Sequence, residues 1–242
     1  MTMHKQNGYL ILALLSDIEL YYSSQFLDGS GNITLQGEEF HHAKNVMRNS
    51  VGDFIYVTDG EGRICKTEII EISKTDLKAV IVDKFVYENN AANICFCIPI
   101  LKNPDRLKFA LEKSVELGIT NFILFTSKNT ISKKINLEKF LRITLAAMKQ
   151  SLRSFLPKII NTELDEIMKY PGTKLILDQK ANATFNGNVD LNKSILFLFG
   201  PEGGFDENEV KVVGDEYRFS LTDKRLRSET AIIKTASLLN IH

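Results

Sequence analysis

Cysteine is scarce in this 242-residue chain, which has three: Cys65, Cys95 and Cys97. A small, odd number of cysteines does not form a disulfide framework, so the sequence predicts a protein of a reducing compartment. The four histidines, at positions 4, 41, 42 and 242, do not combine with these cysteines into a zinc site. We therefore predict no metal site and interpret the cysteines as small apolar side chains.

Long apolar runs are also absent from the sequence. No segment reaches the roughly 18 apolar residues that a membrane span requires, so no membrane partner is predicted. The apolar run at residues 9–15 is short, and the Ser-Asp-Ile-Glu that follows is not a signal-peptide cleavage site. We expect residues 1–19 to form an N-terminal extension and the protein to be cytoplasmic.

The chain has no net charge, because 30 Lys and Arg balance 30 Asp and Glu. The balance changes along the chain, since residues 1–90 carry 8 basic and 13 acidic side chains and residues 91–242 carry 22 and 17. This asymmetry indicates two units and places the stronger attraction for anions in the second.

Residues 20–90 have the pattern of a small β-barrel. Alternating segments predict strands at 31–35, 53–58, 63–72 and 77–86. Asp-Gly-Glu-Gly at 59–62 is typical of a hairpin connection, and residues 38–48 predict a helix. We place the boundary of this unit near residues 88–91.

From about residue 93, strand-like and helix-like segments alternate, which predicts an α/β unit with a parallel sheet. Its first helix is well marked, with Asn103 as the N-cap, Pro104 in the first turn and Gly118 at the end. We predict strands at 94–101, 122–126, 175–178, 195–199 and 217–221, and helices at 104–117, 137–152, 162–170, 206–216 and 228–240.

The segment Phe-Gly-Pro-Glu-Gly-Gly-Phe at 199–205 follows a buried strand. It fits neither the dinucleotide fingerprint nor the phosphate loop. Two interpretations remain open: a structural turn, or a ligand site at the end of an α/β strand where bare glycine backbone approaches the ligand. Asp206 and Glu209 suit the start of a helix, whereas Glu202 lies outside that helix.

Two further segments carry clustered charge. Residues 221–231, Leu-Thr-Asp-Lys-Arg-Leu-Arg-Ser-Glu-Thr-Ala, form either a solvated loop capped by Ser228 or a second loop facing the first across a crevice. In residues 146–157, Lys149 and Arg153 are four apart on a predicted helix face, which is either solvated or in contact with phosphate.

These segments together resemble the bacterial ribosomal small-subunit RNA uridine-N3 methyltransferases, a family of the SPOUT superfamily of trefoil-knotted methyltransferases. The resemblance runs from about Leu20 to the C-terminus. It is carried by Gly-Pro-Glu-Gly-Gly at 200–204, Leu-Arg-Ser-Glu-Thr-Ala at 226–231, Glu-Lys-Ser-Val-Glu-Leu-Gly at 112–118 after Lys102, Gln-Ser with Arg153 at 150–153, and His42 with Val46 and Arg48.

The resemblance implies a PUA-like RNA-binding barrel at residues 20–90 and a SPOUT methyltransferase domain at 91–242, whose last part is threaded as a trefoil knot. It implies S-adenosylmethionine as cofactor, 16S ribosomal RNA within the small ribosomal subunit as partner, and a homodimer. The implied cofactor-binding residues are Phe199, Gly200, Pro201, Glu202, Gly203, Gly204, Leu221, Thr222, Leu226 and Thr230. The implied RNA-binding residues are His42, Arg48, Lys102, Lys113 and Arg153.

Arg227 is the expected catalytic cation, because a fixed guanidinium stabilises the anion of a uridine that has lost its N3 proton. Glu202 and Glu229 are candidate bases or groups that orient Arg227. Two other functions remain open: a non-catalytic RNA-binding protein of this fold, and a SPOUT methyltransferase with another RNA target.

The sequence departs from the family pattern Leu-Gly-x-Arg-Ile-Leu-Arg at the second loop. Thr222 stands where the family has glycine, and Lys224 and Arg225 replace an arginine and an apolar residue. Lys149 replaces a family glutamate, which reverses a charge. The loss of a glycine beside a cofactor loop predicts either crowding of the ligand or a different backbone path.

Overall fold

The computed structural model describes residues 18–25, 31–126, 135–201, 203–206, 210, 213–214 and 217–241. Residues 1–17 of the predicted extension and most of the helix predicted at 206–216 therefore lie outside the described residues. The chain divides into two compact units: one contains the residues up to Asn89 with Lys149–Leu156, and the other contains Asn90–Met148 and Pro157–His242. No helix among the described residues is long and apolar enough to cross a membrane.

The first unit is a curled sheet that forms a half-barrel, which confirms the predicted β domain. The described strands lie in the order β1-β3-β4-β5-β2, and β1 and β3 are the parallel pair. The pairing of β4 with β5 is irregular at two places, between Lys66 and Thr67 and between Ile69 and Glu71, where the register shifts. The strands are β1 (Leu20–Tyr22), β2 (Asn32–Gln36), β3 (Phe54–Thr58), β4 (Arg63–Ile72) and β5 (Asp76–Val86).

The helix predicted at 38–48 ends earlier than expected, and its second half is a π-helical turn. Helix α1 (Gly37–His41) continues into a π-helical turn (His42–Val46), which places Phe40 and Ala43 on the core of the half-barrel. Arg48 follows with a positive φ of 59°, so the chain turns away there.

Residues 149–156 complete the first unit. Ser154 O accepts a 2.9 Å hydrogen bond from the amide of Gly62, and the Leu156 amide donates to Gly60 O at 2.8 Å. Lys149 Nζ lies 2.6 Å from Glu39 Oε1, so the reversed charge at position 149 has an acidic partner within the same unit. Lys149 and Arg153 do not share a helix face as predicted, because the helix ends at Gln150 and Leu152 has a φ of 55°.

Gly62→Ala should destabilise the protein by about 1–3 kcal/mol, the usual cost of overpacking. A Cβ at Gly62 would lie 2.7 Å from Phe155 Cζ, and its φ is 100°. Gly52→Ala is the matched control, because Gly52 has a φ of 93° but no heavy atom within 4 Å of the place that a methyl group would occupy. Denaturant unfolding measures the free energy of unfolding of both variants. A larger loss in Gly62→Ala would come from the contact with Phe155, whereas equal losses in the two variants would contradict the packing of Phe155 on Gly62.

The second unit is an α/β layer with a parallel sheet, as predicted. Its described strands lie in the order β10-β12-β9-β11-β6-β7-β8, and every pairing is parallel. The strands are β6 (Ile94–Pro99), β7 (Asn121–Thr126), β8 (Lys158–Glu163), β9 (Thr173–Leu177), β10 (Ala183–Thr184), β11 (Ile195–Phe199) and β12 (Arg218–Ser220). The helices are α2 (Pro104–Glu116), α3 (Leu137–Gln150), α4 (Leu164–Lys169) and α5 (Ser228–Leu238).

The centre of this sheet is aromatic and closely packed. All five residues of β11 are buried, and the Phe96 ring makes edge contacts with Phe122, Phe197 and Phe199. Asn103 caps α2 as predicted, because its side chain accepts a hydrogen bond from the Asp105 amide. This rigid centre fixes where β11 ends, and the loop after it carries the glycines.

The prediction of a helix from residue 162 is wrong at its start. Residues 162 and 163 belong to β8, whose Thr162 and Glu163 pair with Phe125 and Thr126, and helix α4 begins at Leu164. The sequence analysis did not predict strand β8. It is an edge strand and most of its side chains are not buried, so its sequence lacks the apolar run of a central strand.

The cysteines have the character expected of apolar side chains. Cys65 and Cys97 are buried, and Cys95 is half-buried. Burial raises the pKa of the Cys65 thiol to about 11 and raises that of Cys97 as well, so both thiols are protonated at neutral pH.

Candidate active site

Three neighbouring strands of the second unit end at one edge of the sheet. Strands β12, β9 and β11 are adjacent and parallel, so their carboxyl ends at Ser220, Leu177 and Phe199 meet there. Ligands of open α/β sheets bind at such an edge. The loops that follow these strands, with residues of α2 and α5, line a cavity of about 820 Å³.

The loop after β11 leaves its backbone uncovered, which favours the ligand-site interpretation over a purely structural turn. The Gly204 amide donates a 2.9 Å hydrogen bond to Pro201 O, which closes a tight turn. Gly204 has a φ of 75°, and a side chain there would have no heavy atom within 4 Å. The backbone conformation therefore favours glycine, and Gly204 lines the cavity without a side chain.

Helix α5 makes one hydrogen bond to the loop after β12 and one to the loop after β11. Lys234 Nζ donates a 2.8 Å hydrogen bond to Leu221 O, and Ser228 Oγ donates to Gly200 O at 3.3 Å. Ser228 is thus the first residue of α5 and joins the two loops; Arg227 occupies the N-cap position that we had given to Ser228.

Thr222 fits the loop without the glycine of the family pattern. It is not among the described residues with positive φ, so its backbone conformation suits an ordinary side chain. Its Oγ1 accepts a hydrogen bond from the Lys224 amide at 3.3 Å and lies 3.2 Å from an Asp223 oxygen. The hydroxyl is therefore engaged within its own loop, and the cavity persists beside it.

The loop after β9 is the part of the site that our sequence analysis missed. Asp178 accepts two hydrogen bonds from the Arg218 guanidinium, at 2.9 Å from Nε and 2.5 Å from Nη2. Both side chains are nearly buried, with 10% and 13% exposed. Asp178, Gln179 and Lys180 line the cavity. An acid directly after a buried strand was the available signal, because that is where ligand loops begin.

Helices α2 and α5 also contribute a charged pair, Arg106 and Glu229, of which the sequence analysis named only Glu229. Arg106 Nε lies 3.6 Å from Glu229 Oε1, and the Glu229 side chain is 12% exposed. Arg106 lines the cavity, whereas Glu229 is not among its lining residues. Glu229 therefore faces Arg106, and the carboxylate holds that guanidinium at the cavity wall.

Most of the predicted cofactor-binding residues come together at this cavity. Those that line it are Phe199, Gly200, Pro201, Gly203, Gly204, Leu221, Thr222 and Leu226. Thr230 is exposed on α5 and does not line it. Glu202 lies outside the described residues. The predicted catalytic residue Arg227 is exposed and lines the cavity.

The predicted RNA-binding residues are spread over both units. In the first, His42 Nε2 lies 2.9 Å from Glu19 Oε1, and Arg48 is exposed. Arg153, after α3, is half-buried, and burial lowers its pKa from the usual range.

In the second unit, Lys102 is exposed just before α2, and Lys113 pairs with Glu116 at 2.7 Å. That acidic neighbour offsets much of the charge that Lys113 would present to a phosphate.

Two family models of RNA methyltransferases match this chain. A family model described as an RNA methyltransferase domain matches residues 88–240, and one described as an RNA methyltransferase PUA domain matches residues 35–82.

Proteins named ribosomal RNA small subunit methyltransferase E are similar along most of the chain. The Bacillus subtilis protein is 26% identical over 239 residues, covering 90% of this chain and 93% of its own. The Mesomycoplasma hyopneumoniae protein is 35% identical over 179 residues, covering 68% and 77%. This chain belongs to the ribosomal RNA small subunit methyltransferase E family, which confirms the resemblance found in the sequence.

A solved structure of a ribosomal RNA small subunit methyltransferase E from Neisseria gonorrhoeae, bound to S-adenosyl methionine, has the same fold. Its TM-score is 0.81 at 26% identity, over 91% of this chain and 95% of that one. A predicted RNA methyltransferase from Thermotoga maritima is 28% identical with a TM-score of 0.71, over 92% and 97%.

Proposed function

We propose that this protein transfers a methyl group from S-adenosylmethionine to N3 of a uridine in 16S ribosomal RNA. The observation that carries the proposal is the cavity at the ends of β9, β11 and β12, lined by uncovered glycine backbone and by cationic side chains. The curated relatives are named for small-subunit ribosomal RNA, and the Neisseria gonorrhoeae neighbour holds S-adenosyl methionine.

The residues at the cavity suit this cofactor. A volume of about 820 Å³ is within the usual range for small-molecule sites. Leu177, Leu221 and Leu226 offer apolar contact for a planar base, and the turn at Gly204 offers backbone without an obstructing side chain. When bound, S-adenosylmethionine supplies an activated methyl group on a sulfonium, so the protein need only position the acceptor nitrogen.

We propose that Arg227 stabilises the uridine as its N3 proton leaves. Its guanidinium is permanently charged and lines the cavity, where it can hydrogen-bond the base oxygens that gain negative charge. The target base must be accessible or extruded from its stack to reach these groups.

Glu229 suits a positioning role better than that of a general base. Its carboxylate is nearly buried against Arg106, and Glu229 is not among the residues that line the cavity. Glu202 remains the other candidate base.

We also propose the larger assembly that the resemblance implies. Residues 20–90 would hold RNA, with His42 and Arg48 among the contacts, and residues 91–242 would form the methyltransferase domain with a trefoil knot. Lys102, Lys113 and Arg153 would add phosphate contacts. Two-fold homodimers are the commonest assemblies, and we expect one here, acting on the small ribosomal subunit in the cytoplasm.

The rival from another class is a non-catalytic RNA-binding protein of the same fold. The fit of Thr222 within its loop weighs against it, since the departure at this position leaves the cavity open. Calorimetric titration of the folded protein with S-adenosylmethionine and with S-adenosylhomocysteine tests the choice. We expect saturable binding of both ligands. If neither ligand gives heat on binding, the result would favour the non-catalytic RNA-binding protein.

Lys234→Met should weaken cofactor binding by about tenfold or more. The variant removes the hydrogen bond to Leu221 O, and such a bond from a charged group contributes about 1.5–3 kcal/mol. Lys234→Arg should restore part of the affinity, because a guanidinium can still donate to the carbonyl. Calorimetry on both variants measures the effect, and an unchanged affinity in Lys234→Met would mean that this bond does not position the loop.

A further inference from the structure

The cavity is lined by more basic side chains than the single carboxylate of its proposed cofactor can pair with. Its basic lining residues are Arg106, Lys180, Lys224, Arg225 and Arg227. Among the described lining residues, the single acid is Asp178, which is already bonded to Arg218. S-adenosylmethionine carries a sulfonium and an ammonium against one carboxylate, so it is itself a cation. A cluster of cations around such a ligand attracts an anionic group of another molecule.

Most of these basic side chains already have partners within the protein. Arg106 lies against Glu229, Lys224 Nζ is 3.1 Å from an Asp223 carboxylate oxygen, and Lys180 has an interaction of its own. Within the part of the chain that the structure describes, Arg225 and Arg227 make no ion pair. Arg227 is assigned to the reacting base, so Arg225 is the cation whose purpose is unexplained.

The spacing of the two arginines suits one nucleotide. Arg227 has an extended backbone conformation, with φ −74° and ψ 155°, and residues 225–227 form no regular element. Two residues of extended chain span about 6.5 Å. That span is comparable to the separation between a base and the phosphate beside it, so one arginine can meet the base while the other meets the backbone.

We propose that Arg225 binds a backbone phosphate next to the target nucleotide. The inference rests on the proposed function, because it places the RNA at the mouth of the same cavity. The contact orients the nucleotide and raises affinity for RNA without taking part in the chemical step.

The test compares Arg225→Gln with Lys193→Gln, which removes the same charge elsewhere. Lys193 precedes the amino end of β11, whereas the cavity lies at the carboxyl ends of the strands. Affinity for small subunits reconstituted with unmodified, transcribed 16S RNA is measured between 50 and 500 mM salt, and cofactor affinity is measured by calorimetry. Losing one phosphate contact lowers the log–log salt slope by about 0.7–0.9.

At 50 mM salt the unmodified protein should bind the RNA more tightly than Arg225→Gln. We expect the ratio of the two affinities to fall by about five- to eightfold between 50 and 500 mM salt. Cofactor affinity should stay within about twofold, and Lys193→Gln should leave the slope unchanged. An unchanged slope in Arg225→Gln, or an equal loss in Lys193→Gln, would overturn the proposal. If the unmodified protein binds neither cofactor nor RNA, the proposed function itself fails.

Discussion

Arg227→Ala should slow single-turnover methyl transfer by about 10²–10³-fold, the usual cost of losing one well-placed charge donor in a transition state. Cofactor affinity and melting temperature should change little, because Arg227 is exposed and forms no ion pair with the described residues. Arg227→Lys should recover only part of the rate, since a lysine keeps the charge but loses the planar fork.

The competing explanation is that Arg227 shapes the loop after β12. In that case Arg227→Ala would lose cofactor affinity and thermal stability together with activity. Measuring rate, cofactor affinity and melting temperature on the same variant distinguishes the two roles, and unchanged methyl transfer would contradict both.

Asp178→Ala should be the most destabilising of these substitutions, by about 3–5 kcal/mol. It removes the carboxylate that accepts two hydrogen bonds from the nearly buried Arg218 guanidinium, and breaking a buried ion pair by removing one partner carries a cost of this size. The same carboxylate sits at the end of β9, so the variant should also lose cofactor affinity through displacement of residues 178–180.

Glu166→Ala is the control for Asp178→Ala. It breaks an ion pair with Lys169 in the same unit, but both side chains are more than half exposed, so we expect no measurable loss of stability. Denaturant unfolding compares the two variants. A loss below about 1 kcal/mol in Asp178→Ala would show that the Asp178–Arg218 pair does not hold this edge of the sheet.

Sequence patterns found the elements whose signals are local. The glycine turn after β11 and the alternation of strands and helices in the second unit were readable because each depends on neighbouring residues. The cap at Asn103 has the same local origin. From these patterns alone the loops around Gly204 and Leu221 were either ordinary loops or the two sides of one crevice, and the family resemblance implied that both bind the cofactor.

The missed features depend on contacts between distant residues. Asp178 meets Arg218 and Arg106 meets Glu229 through the order of the sheet and the packing of α2 on α5, which no local pattern contains. Glu39 and Lys149, 110 positions apart, are a further case. Thr222 was expected to disturb the cofactor loop because a glycine is replaced, yet its backbone conformation does not require glycine.

Nucleoside analysis of the methylated RNA tests the central claim most directly. The protein is incubated with isotopically labelled S-adenosylmethionine and small subunits reconstituted with unmodified 16S RNA, and the RNA is then digested and analysed by mass spectrometry. We predict that the label is found in 3-methyluridine, at one position, and that Arg227→Ala removes most of it. Label in another nucleoside, or no label from a protein that binds the cofactor, would contradict methylation of uridine N3.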